Sequence, residues 1–155
     1  MNKLRRSYLK LAGSAGVLAL AGAAGLLRTA TAWSAGWNKA GFESKAASEA
    51  LKSLGAAGAT ESKEIVITAP DIAENGAVVP VEITSRIPGT ESISIIAEKN
   101  PFPLVATVEL ANGSEPYTYV RIKMGDTSIV RAVVKAGGKF YTATKEVKVT
   151  VGGCG

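Results

Sequence analysis

Lys145-Glu146-Val147-Lys148-Val149-Thr150-Val151-Gly152-Gly153-Cys154-Gly155 changes character once, at Val151. Up to that point apolar and polar residues alternate, with Val147, Val149 and Val151 on one side and Glu146, Lys148 and Thr150 on the other. A period of two predicts a strand with a buried face and a wet face. Burial of such valines, worth about 1.5 to 3 kcal/mol each, would hold the strand end firmly. Beyond Val151 the one cysteine of the chain stands among residues without side chains. The stretch reads as a thiol on a short arm rooted in a rigid strand.

The same period recurs upstream, in runs at 65–68, 78–84, 92–98, 104–110, 117–124, 128–135 and 140–151. Turn formers separate them: 71–76, Pro88-Gly89, Asn100-Pro101, Asn112-Gly113, Gly125-Asp126 and Gly137-Gly138. Seven strands at this spacing predict an all-β fold, an immunoglobulin-like antiparallel β-sandwich. One short N-terminal helix precedes it, with Ala46, Ala47, Ala50, Leu51 and Leu54 on one face, Ser44 as N-cap and Gly55 as stop. Residues 33–41 read as a polar, mobile lead-in and 55–62 as an Ala/Gly-rich linker. The expected organisation is a leader over 1–32, this lead-in, helix and linker over 33–62, the sandwich over 63–151 and the arm over 152–155.

The leader carries Arg5-Arg6-Ser7-Tyr8-Leu9-Lys10, then an apolar run over 11–27 and Ala30-Thr31-Ala32. This is a twin-arginine signal with a small-residue cleavage site, so the mature chain is expected to begin at Trp33 in the periplasm. The alternative is a membrane anchor, for which the run is short and weakly apolar. The whole chain has 18 basic and 13 acidic residues; the leader holds five of the basic ones and no acid, which leaves a mature chain of 13 against 13. The basic balance is therefore no argument for nucleic acid, and no membrane partner is expected after cleavage.

The chain has no histidine and one cysteine. An internal disulfide, a haem attachment motif and imidazole or thiolate metal sites are excluded, as are Ser-His-Asp and Cys-His catalysis. No cofactor is expected. Cys154 lacks a base, and a carboxylate on Gly155 would disfavour the thiolate, so its pKa is expected no lower than the free value of about 8.5. Activation falls to a partner. Three residues past Val151 reach roughly 10 Å, a length suited to a narrow channel on another protein. A thiol so placed is either a covalent carrier or the half of an intermolecular disulfide in an exported structural or adhesion sandwich. A thiol peroxidase or reductase would need a resolving cysteine. Lys135, Lys139, Lys145 and Lys148 either steer anions or line a solvated face, the latter being the default on such strands. Pro101-Phe102-Pro103-Leu104 is either a partner-facing patch or a loop tucked onto the core.

With its ending from Val147 to Gly155, its twin-arginine leader and its seven-strand pattern, the chain resembles the SoxY family. Ala73-Glu74-Asn75-Gly76, Val79-Pro80-Val81, Asn100-Pro101 and Arg121-Ile122-Lys123-Met124 extend the resemblance through the mature chain. It implies a sulfur carrier of periplasmic thiosulfate oxidation, not itself an enzyme, with an immunoglobulin-like fold and a SoxZ-like partner in a heterodimer. Cys154 would carry the sulfur, with Gly152, Gly153 and Gly155 as its flexible flanks. A c-type cytochrome would join the thiol oxidatively to thiosulfate, and a hydrolase would release sulfate. The remaining sulfane sulfur would be oxidised or passed on, a sulfane dehydrogenase being one candidate. The family's usual ending has a further glycine, so here a nearer carboxylate is expected to raise the thiol's pKa or alter its fit in a channel.

Overall fold

The computed structural model describes residues 36–151 other than Asn112. Along them run α1 (Lys39–Phe42), α2 (Ala47–Ser53), β1 (Thr60–Glu61), β2 (Ile65–Thr68), β3 (Ile72–Ala73), β4 (Val79–Ser85), β5 (Thr90–Ala97), β6 (Leu104–Glu109), β7 (Tyr117–Ile122), β8 (Ser128–Ala136) and β9 (Lys139–Val149). The seven longer strands coincide with the seven alternating runs. They form two sheets, β9-β8-β5-β6 and β2-β4-β7, with β1 and β3 both on β9. The pairings within and between the longer strands are antiparallel. This is an immunoglobulin-like sandwich in which the fourth long strand pairs with the third instead of crossing to the other sheet. The two short strands, absent from the sequence reading, run parallel to β9.

Alternation decides which face is inside. Ile93, Ile95, Ala97, Val130, Ala132, Val134 and Val147 from the larger sheet meet Ile65, Val79, Val81, Ile83 and Ile122 from the smaller one. The register of β9 follows from its turn. Gly137 and Gly138 both have positive φ, +55° and +72°, so the β8–β9 loop is the two-residue mirror-image turn that side chains disfavour. Ala136 then faces Lys139 and Ser128 faces Val147, which sends Val147 fully into the core. A one-residue slip would turn that side chain to water.

A second apolar cluster lies on the outer face of the larger sheet. Ile96, Leu104 and Val133 are covered there by Ala50 and Ala56, with Phe42, Leu51 and Leu54 around them. Central strand β5 is therefore buried on both faces from Ser92 to Ala97, and its Ile-rich run replaces strict alternation.

Three local expectations are corrected. The lead-in contains α1, whose N-cap Asn38 accepts a hydrogen bond from the Gly41 N–H and whose Gly41 is buried. Ser44 does not cap the next helix; its hydroxyl donates to the Gly41 carbonyl at 2.6 Å, and Ala46 is the N-cap of α2. The 55–62 stretch is not a free linker, because Ala56 is buried and Thr60–Glu61 pair with Tyr141 and Thr142. Gly55 does end α2: with φ +76° it lets its own N–H reach the Lys52 carbonyl and the Ala56 N–H reach that of Leu51.

Candidate functional site: the root of the cysteine arm

Ladder pairing of β9 stops at Val149, yet the backbone stays held for two residues more. Asp71 to Gly76 runs alongside it. The Lys148 N–H donates to the Asp71 carbonyl at 3.0 Å, and the Thr150 N–H to that of Ala73 at 3.1 Å. The Thr150 hydroxyl donates to the Glu74 carbonyl at 3.1 Å, and the Gly76 N–H donates to the Val151 carbonyl at 2.8 Å. On the other side the Val149 N–H donates to the Thr127 hydroxyl oxygen at 3.0 Å. Among the described residues, the last group held is the Val151 carbonyl.

That clamp is tied to the core. Asn75 shapes the loop by accepting from the Ala77 N–H at 2.8 Å, and the Gly76 carbonyl accepts from the N–H of buried Met124 at 2.7 Å. Asn100 braces the same loop system: its amide donates to the Lys123 carbonyl at 2.7 Å, and its Oδ1 accepts from the Gly125 N–H. Ala73 to Gly76, Asn100 and Lys123-Met124, singled out in the sequence for their resemblance, thus gather at one pole of the sandwich. Of these, Ala73, Glu74 and Gly76 hold the strand end directly, and Met124 holds Gly76. Thr127 and Thr150 were missed by the sequence reading, since nothing local marks a threonine whose partner is far along the chain.

Cys154, Gly152, Gly153 and Gly155 lie outside the described residues. Along the strand that leads to them the inward face opens by steps: Val147 is buried, Val149 half-buried and Val151 exposed. The strand assigned through Val151 therefore ends two residues early, beyond the edge of the opposite sheet.

The lysines do not form a steering cluster. Lys145 pairs with Asp71 at 3.0 Å and donates to the Ala69 carbonyl at 2.6 Å, pinning that loop to β9. Lys135 sits near the far end of β8 and pairs with Glu91 at 2.7 Å. The Lys135 ammonium, helped by the Gly138 N–H, holds the Glu91 carboxyl below its usual range, and Glu91 in turn raises Lys135. At the 101–104 loop both readings apply in part, because Pro103 and Leu104 are buried while Phe102 stays half in water with the Lys45 ammonium 3.3 Å from its ring centre.

Among the described residues no group of acidic, histidine or cysteine side chains is placed to hold a metal ion, and no helix is long and apolar enough to cross a membrane. An open depression of about 460 Å³, lined by Arg86, Pro88, Glu91, Leu110 and Pro116, belongs to the opposite pole. The arrangement at the root holds the backbone through the Val151 carbonyl, three positions before Cys154 in the sequence.

The family model described as sulfur oxidation protein SoxY matches residues 51–154. Among solved structures, the sulfur carrier protein SoxY from Chlorobium limicola f. thiosulfatophilum is 39% identical, with a TM-score of 0.63 over 70% of this chain and 95% of its own. A superoxide reductase (neelaredoxin) from Ignicoccus hospitalis is 20% identical, with a TM-score of 0.48 over 55% of this chain and 78% of its own. No curated protein matches the chain.

Proposed function

Because the chain belongs to the SoxY family of sulfur oxidation proteins, we propose that it is a covalent sulfur carrier in thiosulfate oxidation, loaded on the Cys154 thiol. The observation that carries this reading is the clamp at the root, which fixes the backbone up to the Val151 carbonyl, three residues before that cysteine. A fixed base and a short glycine arm suit delivery of one sulfur atom into successive active sites.

In the loading step the Cys154 sulfur bonds to the sulfane sulfur of thiosulfate. The thiol proton is released and two electrons pass to a c-type cytochrome. Water then cleaves the S–S bond to the sulfonate in a hydrolase, sulfate leaves, and a sulfane sulfur stays on the cysteine. Gly152 and Gly153 keep the arm narrow, and Gly155 does the same beyond the sulfur. The chain needs no cofactor of its own and is acted on by these enzymes, since it has no histidine to serve as base. The reading includes a SoxZ-like second subunit, a sulfane dehydrogenase as a further client, and export by the twin-arginine route on the leader over 1–32, with the helices, sandwich and arm in the periplasm.

Intact mass spectrometry of the exported protein, before and after reductant, tests this. Reductant-labile additions of thiosulfate or sulfur on a chain starting near Trp33 are expected, and Cys154→Ser abolishes them while leaving the fold intact. Labile sulfur on the serine variant would sink the carrier reading. A disulfide dimer without sulfur adducts, in cells oxidising thiosulfate, would replace it with the structural or adhesion sandwich.

A further inference from the structure

Reach from the root limits how a partner can approach. Two residues, Gly152 and Gly153, separate the clamped Val151 from Cys154, so the backbone of the cysteine lies within roughly 10 Å of that residue. The clamp does not pay out more chain without breaking the bonds from Ala73, Glu74 and Gly76 to Thr150 and Val151. An enzyme that takes the sulfur into a channel about as deep as the arm is long must bring its rim onto the pole itself.

The surface it meets exposes apolar side chains among the charges of Asp71, Glu74 and Lys148. Of the nine large apolar residues exposed among the described ones, Ile72, Val78 and Val151 lie on the segments that make the clamp, with 58%, 52% and 64% of their surface in water. Ile72 is paired beside Lys148, Val78 follows the loop whose Gly76 holds Val151, and Val151 is the root. Of the nearby charges, Lys99 pairs with Asp126 at 3.8 Å and Asp71 with Lys145 at 3.0 Å, while Glu74 and Lys148 are exposed. Core packing does not explain three exposed branched side chains around one strand end.

We propose that Ile72, Val78 and Val151 form a docking collar, and that its occupant is the apolar rim of the channel in which a partner enzyme receives Cys154. The proposal rests on the carrier reading above and adds the chemistry of the contact. The collar touches the enzyme and not the sulfur, so it governs how tightly carrier and enzyme meet and leaves thiol reactivity alone.

Steady-state loading of the reduced carrier by the thiosulfate-loading cytochrome, with carrier concentration varied, tests it on wild type, Val78→Asp, Val151→Asp and Val78→Leu. A carboxylate forced against an apolar rim raises KM for the carrier by at least about tenfold. Val78→Leu keeps KM near wild type, kcat stays within about twofold in all variants, and alkylation of Cys154 by iodoacetamide is unchanged. An unaltered KM in both aspartate variants overturns the collar while wild-type loading upholds the carrier reading. So does a KM rise matched by slower alkylation, which would place the effect in the arm. Wild-type protein that takes no sulfur removes both readings together.

Discussion

Replacing Thr127 with valine removes the hydroxyl that accepts from the Val149 N–H at 3.0 Å and keeps the shape of the side chain. A donor left without a partner in a buried site costs about 1 to 3 kcal/mol. Val149 is half-buried, so water reaches the freed N–H and the lower end applies, about 1 kcal/mol. At 1.4 kcal/mol per factor of ten, that raises the population of an opened strand end about fivefold. Native-state hydrogen exchange should show the Val149 and Thr150 amides exchanging about fivefold faster, with the β5 amides following only the global loss. Urea unfolding should give a lower midpoint at unchanged slope. Exchange at Val149 and Thr150 within about twofold of wild type would mean that the Thr127 contact does not hold the root, and the clamp would reduce to the Asp71 to Gly76 side alone.

Gly41→Ala offers a test by sign: alanine is the better helix former, but its Cβ would sit 2.6 Å from the Ser53 hydroxyl oxygen and 2.9 Å from both the Asn38 amide nitrogen and a Leu104 methyl. A lower melting temperature is expected, in line with overpacking of roughly 1 to 3 kcal/mol, and a rise would show that α1 is not seated on β6. Glu91→Gln should change the pH dependence of stability. The Glu91 carboxyl is held below its ordinary 4.5 by Lys135, so its contribution is present above that value and disappears as pH falls through the lowered one. Lys135 is raised above its ordinary 10.5, so its share is full below that pH and is lost as pH climbs through the raised value. Wild type and variant should therefore differ in melting temperature between these limits and converge in acid; a gap that persists at the lowest pH would point to packing instead of charge.

The seven long strands were legible because each half-buried strand has to alternate, and the turns between them use residues that permit reversal, as at Gly137-Gly138. Strand β5 was found through its isoleucines, although its second buried face could not be anticipated without knowing that α2 lies across Ile96 and Val133. Helix α1 was missed because four residues with a central glycine have no helical preference of their own; Gly41 is there for close approach to Leu104. β1 and β3 were missed because two residues carry no period. At the site, the cysteine and its glycines stand out in composition alone. The clamp does not, since Thr150 and Glu74 are 76 positions apart and their bond depends on the completed fold.

The parallel pairing of β3 with the end of β9 also determines how the root bears a load. Bonds from Asp71, Ala73 and Gly76 cross between two chains running in the same direction, and antiparallel β8 lies along the other side of β9. A pull along the strand axis toward Cys154 strains these bonds together in shear, whereas a hairpin pulled at its open end parts one bond at a time. Tension applied at Val151 along the strand axis is therefore shared along β9 and does not peel it from one end.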